Sequence, residues 1–245
     1  IEDVIILLSE EAKRTPKGKW ILGTYFDDTK VKEKRMPWKE ELDKASREHP
    51  IAVSHVSLHI HSVNSKAFEL AGITDESPDP EGGELERRPD GKLNGVVKEN
   101  AFPYYFTRGT LTHPPVIPPM ERMKLAKSLS IVLAEFASRG ITSVGDALVG
   151  PEDIRAYQDC RSIGGLKVRV NLYVGGGYLD LLSRLMIRTG FGDEWLKIGG
   201  IKFFADGAIA GRTAYLSEPY EGTDYHGILT TTQEKLNLSV LAAHK

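Results

Sequence analysis

From about residue 120 onward, short apolar segments alternate with amphipathic stretches, and this alternation restricts the fold more than any other feature of the chain. "ERMKLAKSLSIVLAEFASRG" carries apolar residues at Met123, Ala126, Leu129, Val132 or Leu133, and Phe136, the three-to-four spacing of a buried helix face. Pro118 and Pro119 precede it and Gly140 closes it, as expected of helix start and stop. "ITSVGDA" predicts a short buried strand ending at Asp146, Pro151 opens a helix to about residue 163, and "KVRVNLYV" predicts the next strand. "LDLLSRLMI" predicts a helix, "IGGIKFFAD" a third strand and "EKLNLSVLAAHK" a last helix. Strands separated by helices of this length imply right-handed βαβ crossovers and a parallel sheet.

The first half is patterned differently. "IEDVIILLSEEAKR" and "PWKEELDKAS" predict helices, "IAVSHVSLHIHSV" a strand, and "NSKAFELAG" a short helix. "ELERRPDGKLNGVV" predicts a β-hairpin with Pro-Asp-Gly in the turn. The proline-rich "THPPVIPP" reads as a linker. It divides the chain into an α+β lobe, residues 1–115, and a βα segment, residues 116–245.

Composition excludes several classes of partner. A net charge of −2 over 245 residues argues against nucleic acid and anionic membranes. Apolar runs such as "VIILL" are far too short to span a bilayer, and no signal peptide is visible. The single cysteine, Cys160, cannot form an internal disulfide, which fits a reducing cytoplasm. Ile1 starts inside a helical pattern and the last helix has no terminating glycine or proline. Both ends therefore read as cut, and the expectation is a fragment or a processed product.

Lys202 sits in the otherwise apolar "IGGIKFFAD". By alternation Lys202, Phe204 and Asp206 share one face of that strand, and Ile201, Phe203 and Ala205 the other. Burying an ammonium group without a partner costs several kcal/mol. Three roles are open on spacing alone: a salt bridge to a structural carboxylate, a Schiff-base nucleophile, or a carbamate formed with CO2 that ligates a metal.

"GIKFFADGAIAGRTAYLSEPY" resembles a segment of the amidohydrolase family 3 branch, the YtcJ-like and AepA-like metal-dependent hydrolases. "SLHIHSVNSKAFELAGI", "DPEGGELERRPDGKLNGVVKENA", "KWILGTYFDD" and "SRGITSVGDA" resemble further family stretches in the same order. The resemblance runs from about residue 5 to 245. It implies strands 2–4 of a (β/α)8 (TIM) barrel, a partial barrel carrying the inserted α+β lobe. It also implies that Lys202 is the carboxylated lysine of a divalent metal centre, with zinc the expected ion. Carboxylation turns the cation into an anion that can ligate metal, which lowers the pKa of a bound water and polarises the scissile carbonyl.

The family's P-G-[FL]-x-D-x-H-x-H segment does not occur here. "HIH" at 59–61 imitates its histidine pair, with His55, His59 and His61 on one face of the expected strand. The adjoining "SVNSKAFELAG" instead matches His59 to a different family histidine, which implies a substrate-pocket or structural role. Asn64 matches too, with helix N-capping as its other reading. The resemblance implies substrate-pocket roles for Glu99, Asp146, Asp206 and Arg212 as well. Their competing readings are a first-turn helix acid, a turn cap, a strand-end turn and a surface ion pair.

The expected activity is hydrolysis of amide-like C–N bonds of a small-molecule substrate by a longer parent protein. With the remaining ligands outside this sequence, no catalytic residue is assigned and the chain alone is expected to be inactive. Open sheet edges lead to an expectation of self-association. Two other readings stand beside this one: a non-catalytic binding or regulatory protein on an incomplete barrel, and a Schiff-base enzyme using Lys202, for which borohydride trapping is diagnostic.

Overall fold

A computed structural model describes residues 1–107 and 115–244. Residues 112–114 of the expected linker (112–119) lie outside the described residues. The chain divides into two compact units, Ile1–Pro118 with Phe204–Thr232, and Pro119–Phe203 with Gln233–Lys245. The first unit thus takes in a late segment, 204–232, which a single cut at 115/116 leaves with the second half.

The first unit is built on a five-stranded sheet in the order β1-β2-β3-β5-β4. Its strands are β1 (Ile21–Phe26), β2 (Ile51–His55), β3 (Ile60–Val63), β4 (Gly83–Arg87) and β5 (Leu93–Glu99). β1 and β2 are parallel, and the remaining pairs are antiparallel. Both faces are buried. Val53, Val96 and Ile51 pack with Leu8 of helix α1 (Glu2–Arg14) and Leu42 of α2 (Lys39–Ala45) on one side. Leu85, Leu93 and Val97 pack with Phe106 and with Phe68 of α3 (Ser65–Ala71) on the other. Burial on both faces explains why "GVV" on β5 shows no polar alternation.

The segment "IAVSHVSLHIHSV" is two strands, where the pattern suggests one. It doubles back after His55, so that Ser54 opposes His61 across an antiparallel pair. Leu58 takes the left-handed φ of 62° that closes the turn, and its N–H donates to the His55 carbonyl at 2.9 Å. The expected hairpin at 84–97 is present as β4 and β5. The Gly91 N–H donates to the Arg88 carbonyl at 2.9 Å, and Gly91 has the φ of 83° its turn requires.

The second unit is a three-stranded parallel sheet in the order β6-β7-β8, from β6 (Ser143–Val149), β7 (Arg169–Gly175) and β8 (Leu196–Lys202). Helices α4 (Arg122–Ser138), α5 (Pro151–Ser162) and α6 (Leu179–Arg184) contribute Leu133, Tyr157 and Leu182 to a core with Val170, Leu172 and Val174 of β7. All three helices therefore cover one face of the sheet. Gly145 and Tyr173 are exposed, which marks the opposite face. Helix α7 (Gln233–His244) buries no residue, and His244 is exposed on it as expected of a helix-surface position.

Two strand ends differ from the sequence pattern. β6 continues to Val149, which puts Asp146 inside the strand. β8 stops at Lys202, so Phe204 and Asp206 lie beyond it in the first unit. β8 also contains a bulge: its register against β7 steps from Leu172↔Ile198 to Tyr173↔Gly200, which leaves Gly199 as the extra residue.

Candidate functional site

The bulge fixes which way Lys202 faces. Ile198 before it and Ile201 after it both join the helix-covered core. Lys202, one residue past Ile201, is therefore on the helix-free face, half-buried at the carboxyl end of β8 opposite Gly175. Asp146 goes the other way. It pairs in register with the core residue Leu172, and its Oδ2 accepts a hydrogen bond of 2.8 Å from the Tyr157 hydroxyl on α5. Asp146 and Lys202 thus occupy opposite faces of the same sheet.

In the first unit His59 and Glu99 lie against the stretch 204–213, which itself carries Asp206 and Arg212. His59 Nδ1 lies 2.8 Å from Glu99 Oε2, and the Glu99 side chain is only 5% exposed. The Glu99 N–H donates to the His59 carbonyl at 2.8 Å, so the pair is tied through backbone as well as side chain. Phe204 meets the His59 ring edge to face at 5.9 Å. Behind Glu99 lies Gly207, where a Cβ would overlap Glu99 Oε1 and Thr213 Oγ1. Thr213 is fully buried, and its hydroxyl accepts from the Ala208 N–H at 2.9 Å. Thr213 directly follows Arg212 in the sequence motif, so its signal was present but belonged to the less conspicuous neighbour.

Asp206 and Arg212 shape the loop. Asp206 Oδ2 accepts from the Tyr215 N–H at 2.9 Å. Arg212 is exposed with a left-handed φ of 54°, capping the short turn Ile209–Gly211. Asn64 is committed to structure. Its Oδ1 accepts from the Ile51 and Ala67 N–H groups, each at 3.0 Å, and its Nδ2 donates to the Ser46 and His49 carbonyls. Every polar group of this buried amide is satisfied, as N-cap of α3 and as a link between β2 and the 46–49 turn.

The "HIH" histidines do not converge. His61 stacks on Phe102 with ring centroids 3.6 Å apart, and burial holds its imidazole down at about 4. His55 points at Asp28, with Nε2 3.3 Å from Oδ1, and Asp27 stands alongside. This trio has the residue types of a metal site but the wrong tautomer. His55 Nδ1 accepts the Ser57 N–H, so the proton of the neutral ring sits on Nε2, the nitrogen facing the carboxylates. A metal-binding histidine needs that nitrogen bare and the other one donating. Asp27 is used locally, accepting from the N–H and hydroxyl of Thr29.

A second ionic cluster was not anticipated. Lys98 on β5 lies 2.8 Å from Glu84 and 2.7 Å from Glu86, with its ammonium 5.3 Å from the centre of the Tyr225 ring. The two carboxylates hold its pKa above the usual lysine range against the opposing effect of burial. It ties the 204–232 segment to the sheet.

The sequence matches the profile of the amidohydrolase family over residues 1–245. The chain belongs to that family. It is 25% identical to YtcJ of Bacillus subtilis (strain 168), named as an amidohydrolase, over 90% of this chain and 40% of that one. It is 26% identical to the N-substituted formamide deformylase of Arthrobacter pascens over 85% of this chain and 39% of that one. Among solved structures, a metal-dependent hydrolase from Pyrococcus furiosus superposes with a TM-score of 0.60 at 25% identity, over 98% of this chain and 47% of the other. A second, from Pyrococcus horikoshii, gives 0.63 at 24% identity, over 99% and 45%. The chain spans about 40% of the length of the curated relatives it matches. No helix among the described residues is long and apolar enough to cross a membrane.

Proposed function

We propose that this chain supplies part of the catalytic barrel of a metal-dependent hydrolase that cleaves amide-like C–N bonds of a small molecule. The observation that carries this reading is the position of Lys202, on the helix-free face at the carboxyl end of β8. In a βα barrel that end of the strands lines the active-site mouth. Helices on one face only are what a slice of such a barrel requires, whereas a doubly wound sheet carries helices on both. On this reading strands β6–β8 are a partial TIM barrel and the first unit is the inserted lobe.

Lys202 fits a metal ligand after carboxylation. Its neutral amine adds to CO2, forming an N–C bond and releasing one proton, and the resulting carbamate offers anionic oxygens to a divalent ion such as zinc. When bound, that ion acidifies water and polarises a carbonyl. Within the first unit, His59 with Glu99 behind it and the exposed Arg212 are groups suited to contact an amide, carboxylate or carbonyl of a small molecule. Asp206 holds the loop that presents Arg212. Asp146 and Asn64 serve packing and capping. Self-association belongs to the same proposal, because β6 and β8 end the sheet among the described residues.

The test uses 13C-bicarbonate with added Zn2+. A carbamate carbon signal that disappears in Lys202→Arg is expected, together with metal-dependent amine release from N-formyl and N-acyl amines by the protein that contains this chain. No carbamate at saturating bicarbonate and metal overturns the ligand assignment. No amine release from any member of the panel overturns the hydrolase reading.

A further inference from the structure

The His59–Glu99 contact has a chemical direction. An ionised carboxylate only accepts, so at 2.8 Å the hydrogen must reside on Nδ1 of His59. The neutral ring then carries its lone pair on Nε2. The side chain is 23% exposed, so the lone pair is open to a substrate.

Glu99 is held unusually firmly for a carboxylate at a strand end. Its φ of 48° is in the left-handed region, its N–H is bonded to the His59 carbonyl, and Gly207 and Thr213 close off the rear. Its Oε1 is fully buried and takes no hydrogen bond. A backbone strained by ~1 kcal/mol or more and a buried oxygen with no donor are both unfavourable. Neither improves packing, and the oxygen that is bonded, Oε2, is aimed at the His59 ring. His55, four residues earlier, has both ring nitrogens engaged and offers nothing comparable.

We propose that Glu99 is a positioning residue that locks His59 in the Nδ1–H tautomer, so that His59 Nε2 accepts a hydrogen bond from an N–H donor of the substrate. The donor class is a secondary amide or its N-formyl equivalent. Only that choice of donor rests on the hydrolase reading above; the tautomer does not. The Phe204 edge, at 5.9 Å, fixes the ring plane and offers an apolar neighbour to the substituent on the amide nitrogen.

Long-range 1H–15N spectra of uniformly labelled protein, recorded well above the imidazole titration range, read the tautomer without metal or turnover. Wild type is expected to show His59 as Nδ1–H with a bare Nε2. Glu99→Gln keeps a carbonyl oxygen to accept and should preserve that form. Glu99→Leu removes the acceptor and should shift the population to Nε2–H by several-fold. N-methylformamide should move the His59 Nε2 resonance, and N,N-dimethylformamide, which lacks the N–H, should not. A wild-type ring in the Nε2–H form overturns the positioning role, even if Glu99→Leu does not fold. Equal responses to the two formamides, or none, overturn the acceptor role. The correct tautomer in a protein that releases no amine would instead remove the hydrolase reading and leave the dyad standing.

Discussion

Gly207 stands directly behind Glu99: a Cβ at 207 would overlap Glu99 Oε1 and reach within 2.5 Å of Thr213 Cβ. Glu99 cannot swing aside without leaving His59, and Thr213 is fully buried. Gly207→Ala should therefore destabilise the first unit by about 1–3 kcal/mol, the usual scale of overpacking. Urea unfolding followed by tryptophan fluorescence checks this. A midpoint equal to wild type would show that the 204–213 loop is free to yield.

Asn64 should behave as a structural amide. Asn64→Ala leaves two N–H donors and two carbonyls without their partner and removes the α3 cap. A loss of about 3 kcal/mol is expected from the cap and the orphaned buried groups together. Formamide-induced shifts at His59, measured below the melting temperature, should be unchanged.

His61 makes stability depend on pH. Burial against Phe102 lowers its pKa from 6.5 to about 4. Between those values the unfolded chain binds a proton that the folded one refuses, so its contribution is complete above about pH 6.5 and is lost as pH falls toward 4. The full swing is about 3 kcal/mol. Denaturant midpoints across that window should fall steeply for wild type and more gently for His61→Phe, which keeps a ring on Phe102.

Lys98→Met should release the 204–232 segment before it unfolds the sheet. The variant leaves Glu84 and Glu86 facing each other and removes the cation under Tyr225. Both carboxylates are partly exposed, so the cost is discounted to about 2 kcal/mol. Amide hydrogen exchange should quicken between residues 214 and 230, whose N–H groups include those of Leu216 and Ile228 bonded within the loop. Unchanged exchange there would separate the cluster from the segment.

The parts legible in the sequence were those governed by local rules. Pro151 at a helix start and Gly91 in a hairpin turn matter for backbone reasons that do not depend on distant partners. What escaped was set by tertiary placement. Nothing in "SHVSLHIHSV" announces that Leu58 adopts a left-handed turn, since the residue has no preference for it. Asp146 looks like a strand-end acid until Tyr157, eleven residues on, supplies its hydrogen bond. Lys98 and Tyr225 are separated by more than half the chain. Family resemblance supplied His59 and Glu99 as candidates, and only their geometry gives the pair a direction of proton donation.

The extra glycine in β8 has a consequence of parity. Counting by twos from Ile198 arrives at Lys202, so an unbulged strand would send the amine to the helix-covered face, past Val174. One surplus residue reverses odd and even for everything downstream, and the charge emerges on the face opposite the helical core while Ile201 takes over the greasy slot. Deleting Gly199 would leave the composition of the strand almost untouched and still turn Lys202 to the other face.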